Sequence, residues 1–164
     1  MKTRKPISDR LTSLLQIEVS NICPLCGTLE RTEAEFTNHH INHDPSVSEY
    51  WNLIRLCWKC HEDLTKHKQD GTRTRRVKLR KRRLFRDCFG PEAFKALILA
   101  YNDKHRLVNA TSINAIELER WGYLKTHTSN ILSIGASADI TTFNAYEITP
   151  GGVLLVENLG IESQ

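Results

Sequence analysis

No apolar run in the chain approaches the roughly 18 residues needed to cross a bilayer; the longest candidate, residues 96–101, is far shorter, so no membrane partner is expected. An apolar secretion-signal core is missing too. The N-terminal MKTRKPISDRLTSLLQ begins basic, but Asp9 and Arg10 interrupt it, which makes the cytoplasm the expected compartment. There is no internal repeat. A hydrophobic fraction of 40% beside a charged fraction of 26% excludes wholesale disorder and fibrous architecture. With 164 residues, the chain suits one compact domain or two small ones with a modest core.

One stretch lacks acidic residues altogether. Between Gly71 and Arg86 there are none, while nine Lys and Arg fall between Arg73 and Arg86. Split at Cys88, residues 1–88 carry 18 Lys+Arg against 11 Asp+Glu, a net of +7, and residues 89–164 carry 5 against 8, a net of −3. A one-sided basic field of this kind usually serves a polyanion, most often nucleic acid.

Periodicity organises the chain into three parts. Residues 1–70 hold four of the five cysteines. Residues 71–90 follow as a basic helix or linker, with Val77, Leu84, Phe85 and Cys88 along one side at i, i+7, i+8 and i+11. That places Cys88 as a small buried hydrophobe. Gly90 and Pro91 end this helix and start the next, which Phe94, Leu97, Ile98 and Tyr101 mark. Within residues 91–164 a third helix is expected from an N-cap at Thr111 or Ser112 to near Gly122. A hairpin follows from residues 123–128 and 141–149 around Gly135, then a short last helix over Pro150–Leu159 despite Gly151 and Gly152.

Cys23-Pro-Leu-Cys26 and Cys57-Trp-Lys-Cys60 are two C-x-x-C pairs with 30 residues between them. Each pair can turn tightly and offer two thiolates, so that two pairs complete a tetrahedron around zinc. Disulfides are the alternative, disfavoured in a cytosolic chain, as are redox motifs, which occur singly beside a βαβ pattern. A site of four thiolates has no open position and would be structural.

Between the knuckles lies Thr37-Asn38-His39-His40-Ile41-Asn42-His43, then Trp51-Asn52-Leu53-Ile54-Arg55-Leu56, then the second knuckle with His61 directly after Cys60. This order resembles the HNH endonuclease family, in the subgroup whose ββα-metal core is braced by two C-x-x-C knuckles, over about residues 23–67. The resemblance implies an α+β chain. His39 and His40 would end the first strand, residues 53–56 would form the second, and His61 would open the helix, placing unpaired backbone N–H groups near the phosphate. Adjacent strand residues face opposite ways, so His39 and His40 need different jobs. The family's roles make His39 and His61 ligands of a catalytic divalent metal (Mg²⁺, or Mn²⁺, Ni²⁺ or Zn²⁺), His40 the general base, and Asn52 the residue that holds the loop and orients His40. Without the resemblance, the His-His pair reads as a polar strand end and Asn52 as an ordinary loop residue. Where relatives often carry a further His, four residues after His61, this chain has Thr65. His67 falls about 240° around the helix from His61 and cannot share its ion. His43 reads as solvated or as a phosphate contact.

The expected activity is metal-dependent endonucleolytic hydrolysis of double-stranded DNA leaving 5′-phosphates, with a homodimer as one way to reach both strands. Arg73, Arg75, Arg76, Lys78, Arg80, Lys81, Arg82 and Arg83 are the expected DNA-backbone contacts, against the alternative of a solvated helix face. Residues 91–164 resemble a winged helix, with residues 116–124 as recognition helix and strand. The rival expectation is a non-catalytic, zinc-containing DNA-binding regulator.

Overall fold

A computed structural model describes residues 3–102, 106–109, 113–134 and 140–161. It is a mixed helix and strand structure of six helices and two small sheets among those residues. None of these helices is long and apolar enough to cross a membrane. The chain divides into two units, Met1–Cys88 with Asn158–Gly160, and Phe89–Glu157 with Ile161–Gln164.

The first unit opens with a helix the periodicity did not suggest. Helix α1 (Asp9–Val19) starts where the Ser8 hydroxyl accepts the Leu11 N–H at 3.3 Å. It ends where Ser20 turns left-handed at φ 47°. Leu11, Leu14, Leu15 and Val19 form its buried stripe. Strand β1 (Thr37–His40) pairs antiparallel with β2 (Leu53–Leu56), with His40 opposite Leu53 and His39 opposite Ile54. A single 3-10 turn, Tyr50–Asn52, leads into β2. Helix α2 (Trp58–Lys66) follows directly, giving the strand, strand, helix order that positions the histidines.

Helix α3 (Gly71–Phe89) contributes Val77 and Leu84 to the same core as Cys23, Phe36, Ile41, Ile54, Leu56 and Leu64. The helix read as a possible linker over 71–90 therefore packs within the first unit through Cys88. Two side chains on its apolar stripe differ from expectation. Cys88, expected buried, is exposed. Lys81, expected at the DNA, is 0% exposed.

Lys81 Nζ reaches Glu18 Oε1 at 2.8 Å and Oε2 at 2.6 Å. It lies 3.4 Å above the centre of the Tyr50 ring, whose hydroxyl donates to the same carboxylate. Burial pushes the Glu18 pKa up and the Lys81 pKa down, while their mutual attraction opposes both shifts. The reason Lys81 is inside is positional: it occupies i+4 between Val77 at i and Leu84 at i+7.

In the second unit, Gly90 is left-handed at φ 86° and Pro91 is the first residue of α4 (Pro91–Asn102), which buries Ala93, Phe94, Leu97 and Ala100. A three-stranded antiparallel sheet has the order β3 (Arg106–Asn109), β5 (Ile140–Ile148), β4 (Leu124–Ile134). The first strand of the expected hairpin is longer than the Thr-rich pattern suggested, the second matches it to within one residue, and β3 was not anticipated. Its loop at Gly135 and the expected N-cap at Thr111 or Ser112 lie outside the described residues. Helix α5 (Ile113–Arg120) ends before Gly122. Helix α6 (Pro150–Leu159) forms despite its two glycines. A Cβ on Gly152 would stand 2.2 Å from the Tyr123 carbonyl oxygen, so only glycine fits where α6 begins.

Removing one member of a buried ion pair leaves the other charge uncompensated, a loss of about 3–5 kcal/mol. Lys81→Met should therefore lower the chemical-denaturation midpoint of the first unit strongly, and adding Glu18→Leu should recover much of it. A Lys81→Met protein as stable as wild type would refute the buried pair.

Candidate metal centres

The first knuckle is closed by backbone bonds. The Cys23 N–H donates to Thr28 O at 2.8 Å and the Gly27 N–H to Cys23 O at 2.9 Å, with Gly27 at φ 77° completing the reversal. The second knuckle is a helix start: Cys57 is the N-cap of α2 and Cys60 lies in its first turn. The four Sγ atoms all lie within 4.8 Å of one another, with Cys26 and Cys57 3.6 Å apart. Zn–S bonds of about 2.3 Å put neighbouring sulfurs roughly 3.8 Å apart in a tetrahedron, far beyond the roughly 2.05 Å of a disulfide. The donor set thus fits a structural zinc.

The thiols differ by environment. Cys23 and Cys57 are buried while Cys26 is exposed. The Thr28 hydroxyl and backbone draw the Cys26 pKa down to about 6, whereas burial pushes the Cys57 and Cys60 thiols up. A dication supplies the compensation that buried thiolates need.

The histidines occupy the other end of the ββα arrangement. On β1, His39 is 4% exposed and His40 partly so, as strand alternation requires. The His39 ring centre is 5.0 Å from that of His61 on α2 and 5.1 Å from that of His43, both edge-to-face. His39, His40, His43 and His61 line one hollow of about 300 Å³ with Pro45, Thr65 and Lys68. The three clustered imidazoles are less tightly closed than the sulfurs: among the described residues, the cysteines are the one set of three or more ligand side chains whose donor atoms all lie within 4.8 Å.

Burial disfavours the charged form of these rings. It lowers the His39 pKa to about 3, helped by His61, His43 and His40, and lowers those of His43 and His61 as well. His40 is lowered by burial and by the charge of Arg4, against a smaller opposing pull from Asp44. Its Nε2 is shielded and makes no hydrogen bond among the described residues, as is also true of Trp51 Nε1 and Arg55 Nε.

Asn52 is 0% exposed and ties the β1–β2 loop at two points. Its Oδ1 accepts the Asn42 N–H at 2.9 Å and its Nδ2 donates to Val47 O at 2.8 Å, while its own carbonyl accepts the Ile41 N–H at 2.7 Å. The side-chain amide and the carbonyl of this asparagine therefore fix the chain on either side of the histidine turn.

Other expected positions fall differently. The His61 N–H is spent on Cys57 O at 3.0 Å, so the first-turn amides of α2 without a partner inside the helix belong to residues 58–60, beside the sulfurs rather than at the histidines, and that of Cys60 turns to the Cys57 sulfur. His67 bonds back to Asp63 O at 2.9 Å. Arg73 is paired with Asp63 and with Asp70, the latter at 3.1 Å, and the Arg82 guanidinium donates to Gly160 O at 2.9 Å. Arg75, Arg76, Arg80 and Arg83 do converge, lining a cleft of about 500 Å³ with Pro24, Leu25, Thr72 and Leu79. Lys78 does not line it.

Residue reading missed Arg4 and Lys68. The N-terminal segment is pinned to the loop by the Lys5 N–H on Pro45 O at 3.0 Å, by the Ser48 hydroxyl on Lys5 O at 2.7 Å and by the Lys5–Glu49 ion pair at 3.0 Å. This brings the Arg4 charge to bear on His40 and His61, as Lys68 bears on His43. Only the turn chemistry around Asn42 and Asp44 hinted that His43 would fold back. No family model, curated protein or solved structure matches this chain.

Purified protein should carry one tightly held zinc per chain, measured by elemental analysis. Cys57→Ser should lose that zinc and the cooperative thermal transition of the first unit, since metal binding at such a site is folding free energy. A zinc-free protein that melts like wild type would refute the site.

Proposed function

We propose that the first unit is a metal-dependent nuclease. More particularly, it is read as an endonuclease of the HNH kind that hydrolyses phosphodiester bonds in double-stranded DNA. The observation that supports this best is the meeting of His39 and His61, ring centres 5.0 Å apart, with His40 next to His39 on the same strand end and all three facing one hollow.

In this reading, His39 and His61 hold a divalent ion. Such an ion, when bound, polarises a non-bridging phosphate oxygen and offsets charge on the leaving oxygen. His40, whose pKa is lowered by burial and by Arg4, takes the proton from the attacking water. Asn52 fixes the loop, and through it the direction of His40. Arg4 and Lys68 supply positive charge where the phosphate would lie, in a site whose partly dry walls strengthen their effect. The four sulfurs take no part in the chemistry, because a filled tetrahedron has no position for substrate.

The arginine cleft is the proposed seat of the DNA backbone. Arg75, Arg76, Arg80 and Arg83 line one concavity, and the planar guanidinium fork suits phosphate oxygens. We assign no such role to Lys81, and none to Arg73, whose charge is already met by two carboxylates. The helix, hairpin and closing helix of the second unit keep a winged-helix likeness, but its net charge of −3 weighs against a DNA contact there. The cleft also favours the rival reading, a zinc-braced DNA-binding regulator without catalysis.

Two measurements separate the readings. Plasmid incubated with protein and Mg²⁺, Mn²⁺ or Ni²⁺ should be cut, and His40→Ala should cut about 10²- to 10⁴-fold more slowly while binding DNA as well as wild type. Equal cutting by His40→Ala, or no cutting by wild type with any of the three ions, sinks the nuclease. Charge reversal at Arg76 and Arg83 together should weaken DNA binding and flatten the slope of log affinity against log salt by roughly one unit for each phosphate no longer neutralised. An unchanged slope would return this face of α3 to solvent.

A further inference from the structure

The arginine cleft is not lined by charge alone. Thr72, Arg75, Arg76, Leu79, Arg80 and Arg83 fall at i, i+3, i+4, i+7, i+8 and i+11, so α3 gives the cleft one continuous stripe over about three turns. Leu79 stands in the middle of that stripe, 48% exposed, with Arg75 and Arg76 one turn before it and Arg83 one turn after. The other wall is the tip of the first knuckle. Pro24 and Leu25 are the two residues between Cys23 and Cys26, so the sulfur site fixes their place. An apolar centre with a cationic rim is thereby built from two elements.

The rim is arginine and not lysine: Lys78 lies off it, and Lys81 is buried on Glu18. No acidic side chain lines the cleft, and among the described residues the ion pairs of α3 fall on Arg73, Lys81 and Arg86. Asp63, which lines the neighbouring hollow with Arg76, is taken by Arg73.

A paired duplex would use only part of this surface. It offers phosphates to the guanidinium groups, but its bases show only their edges in the grooves, so no base face would reach Leu79, Pro24 or Leu25. An unpaired nucleotide uses all of it. Its base lies against aliphatic carbon and against flat guanidinium groups, which stack as well as hydrogen-bond, while the phosphates on either side take the rim. The cleft volume of about 500 Å³ falls within the roughly 300–1,000 Å³ of sites that enclose a small organic molecule.

We propose that the cleft between α3 and the first knuckle binds an unpaired DNA nucleotide, its base against Leu79, Pro24 and Leu25 and its flanking phosphates on Arg75, Arg76, Arg80 and Arg83. The protein therefore favours DNA that carries a gap, a bulge or a single-stranded branch over a fully paired duplex. This rests on the DNA-binding part of the reading above, deepens it, and does not depend on cutting.

Binding is therefore the readout, by fluorescence anisotropy of the full-length, zinc-loaded protein without other divalent ions, with thermal melting checked for every variant. The probes are a short labelled single strand of mixed sequence and the same backbone built from abasic tetrahydrofuran units. The base-bearing strand should bind about tenfold more tightly than the abasic one. Leu79→Ala, which trims an exposed side chain and keeps a good helix former, should close most of that difference by weakening the base-bearing strand alone, with the salt slope as in wild type. Arg76→Ala should weaken both strands. In competition, a gapped duplex should displace the labelled strand at lower concentration than the same duplex fully paired. Equal affinity for the two strands, a difference that Leu79→Ala leaves intact, or a paired duplex that competes as well as the gapped one overturns the nucleotide site and leaves a seat for backbone only. Displacement by polyglutamate at equal charge concentration overturns it in favour of an acidic peptide. Base-dependent binding by a protein that cuts no plasmid supports the site and removes only the nuclease.

Discussion

Four sulfurs converging on one point set most of what lies around them. Cys57 and Cys60 sit at the junction where β2 ends and α2 begins, and Cys23 and Cys26 belong to a knuckle far earlier in the chain. A cation at their centre therefore fixes the end of β2, the start of α2 and the knuckle in one step. Everything at the histidine end inherits that placement. His61 is the residue after Cys60, so its angle on α2 is set by the sulfur cage within a third of a turn. His39 is set by its register opposite Ile54, three residues before Cys57. Two elements anchored at the same joint can hold two imidazoles 5.0 Å apart without a large core behind them.

That core is modest, and the unit adds a second fastening of a different kind. Glu18, Lys81 and Tyr50 join α1, the turn before β2 and α3 through one buried ionic cluster. Such a cluster costs desolvation on both charges and adds little net stability over well-packed apolar residues. Its value lies in register: Lys81 reaches Glu18 only when α3 lies at one rotation and one height. That rotation also decides which arginines face outward. With Val77, Lys81, Leu84 and Phe85 inward, Arg75, Arg76, Leu79, Arg80 and Arg83 line the opposite cleft. A buried lysine and an outward arginine row are two consequences of one helical phase.

The legible parts of the sequence were those with strong local grammar. C-x-x-C spacing placed the sulfur site, the Gly90-Pro91 pair placed a helix boundary, and alternation separated His39 from His40. Lys81 is less legible because charge and helical phase conflict there: its position at i+4 on an otherwise apolar stripe argues for burial, and a partner as distant as Glu18 cannot be seen from local pattern. Cys88 differs the other way, standing on the stripe yet exposed near the end of the helix. Helix α1 was overlooked because its apolar positions are interrupted by Thr12, Ser13 and Gln16, although Ser8 is a good N-cap. Arg4 and Lys68 reach the histidines only through tertiary contacts of loops, which leave no periodic trace.

The two clusters of metal-binding residue types, one of sulfur and one of imidazole, divide along a line drawn by coordination chemistry. Thiolates from two knuckles saturate a tetrahedron and neutralise the ion, which makes a strong brace and a poor Lewis acid. Neutral imidazoles leave an ion its full charge, and a partial ligand set leaves it open. Burial on the histidine side lowers the pKa of each of these rings, which favours the unprotonated donor form. On the proposed reading, the same ββα frame thus separates an ion that holds the fold from an ion that acts on substrate, joined by the single peptide bond between Cys60 and His61. Moving either residue by one position would turn it about 100° around α2 and break the relation between the two sites.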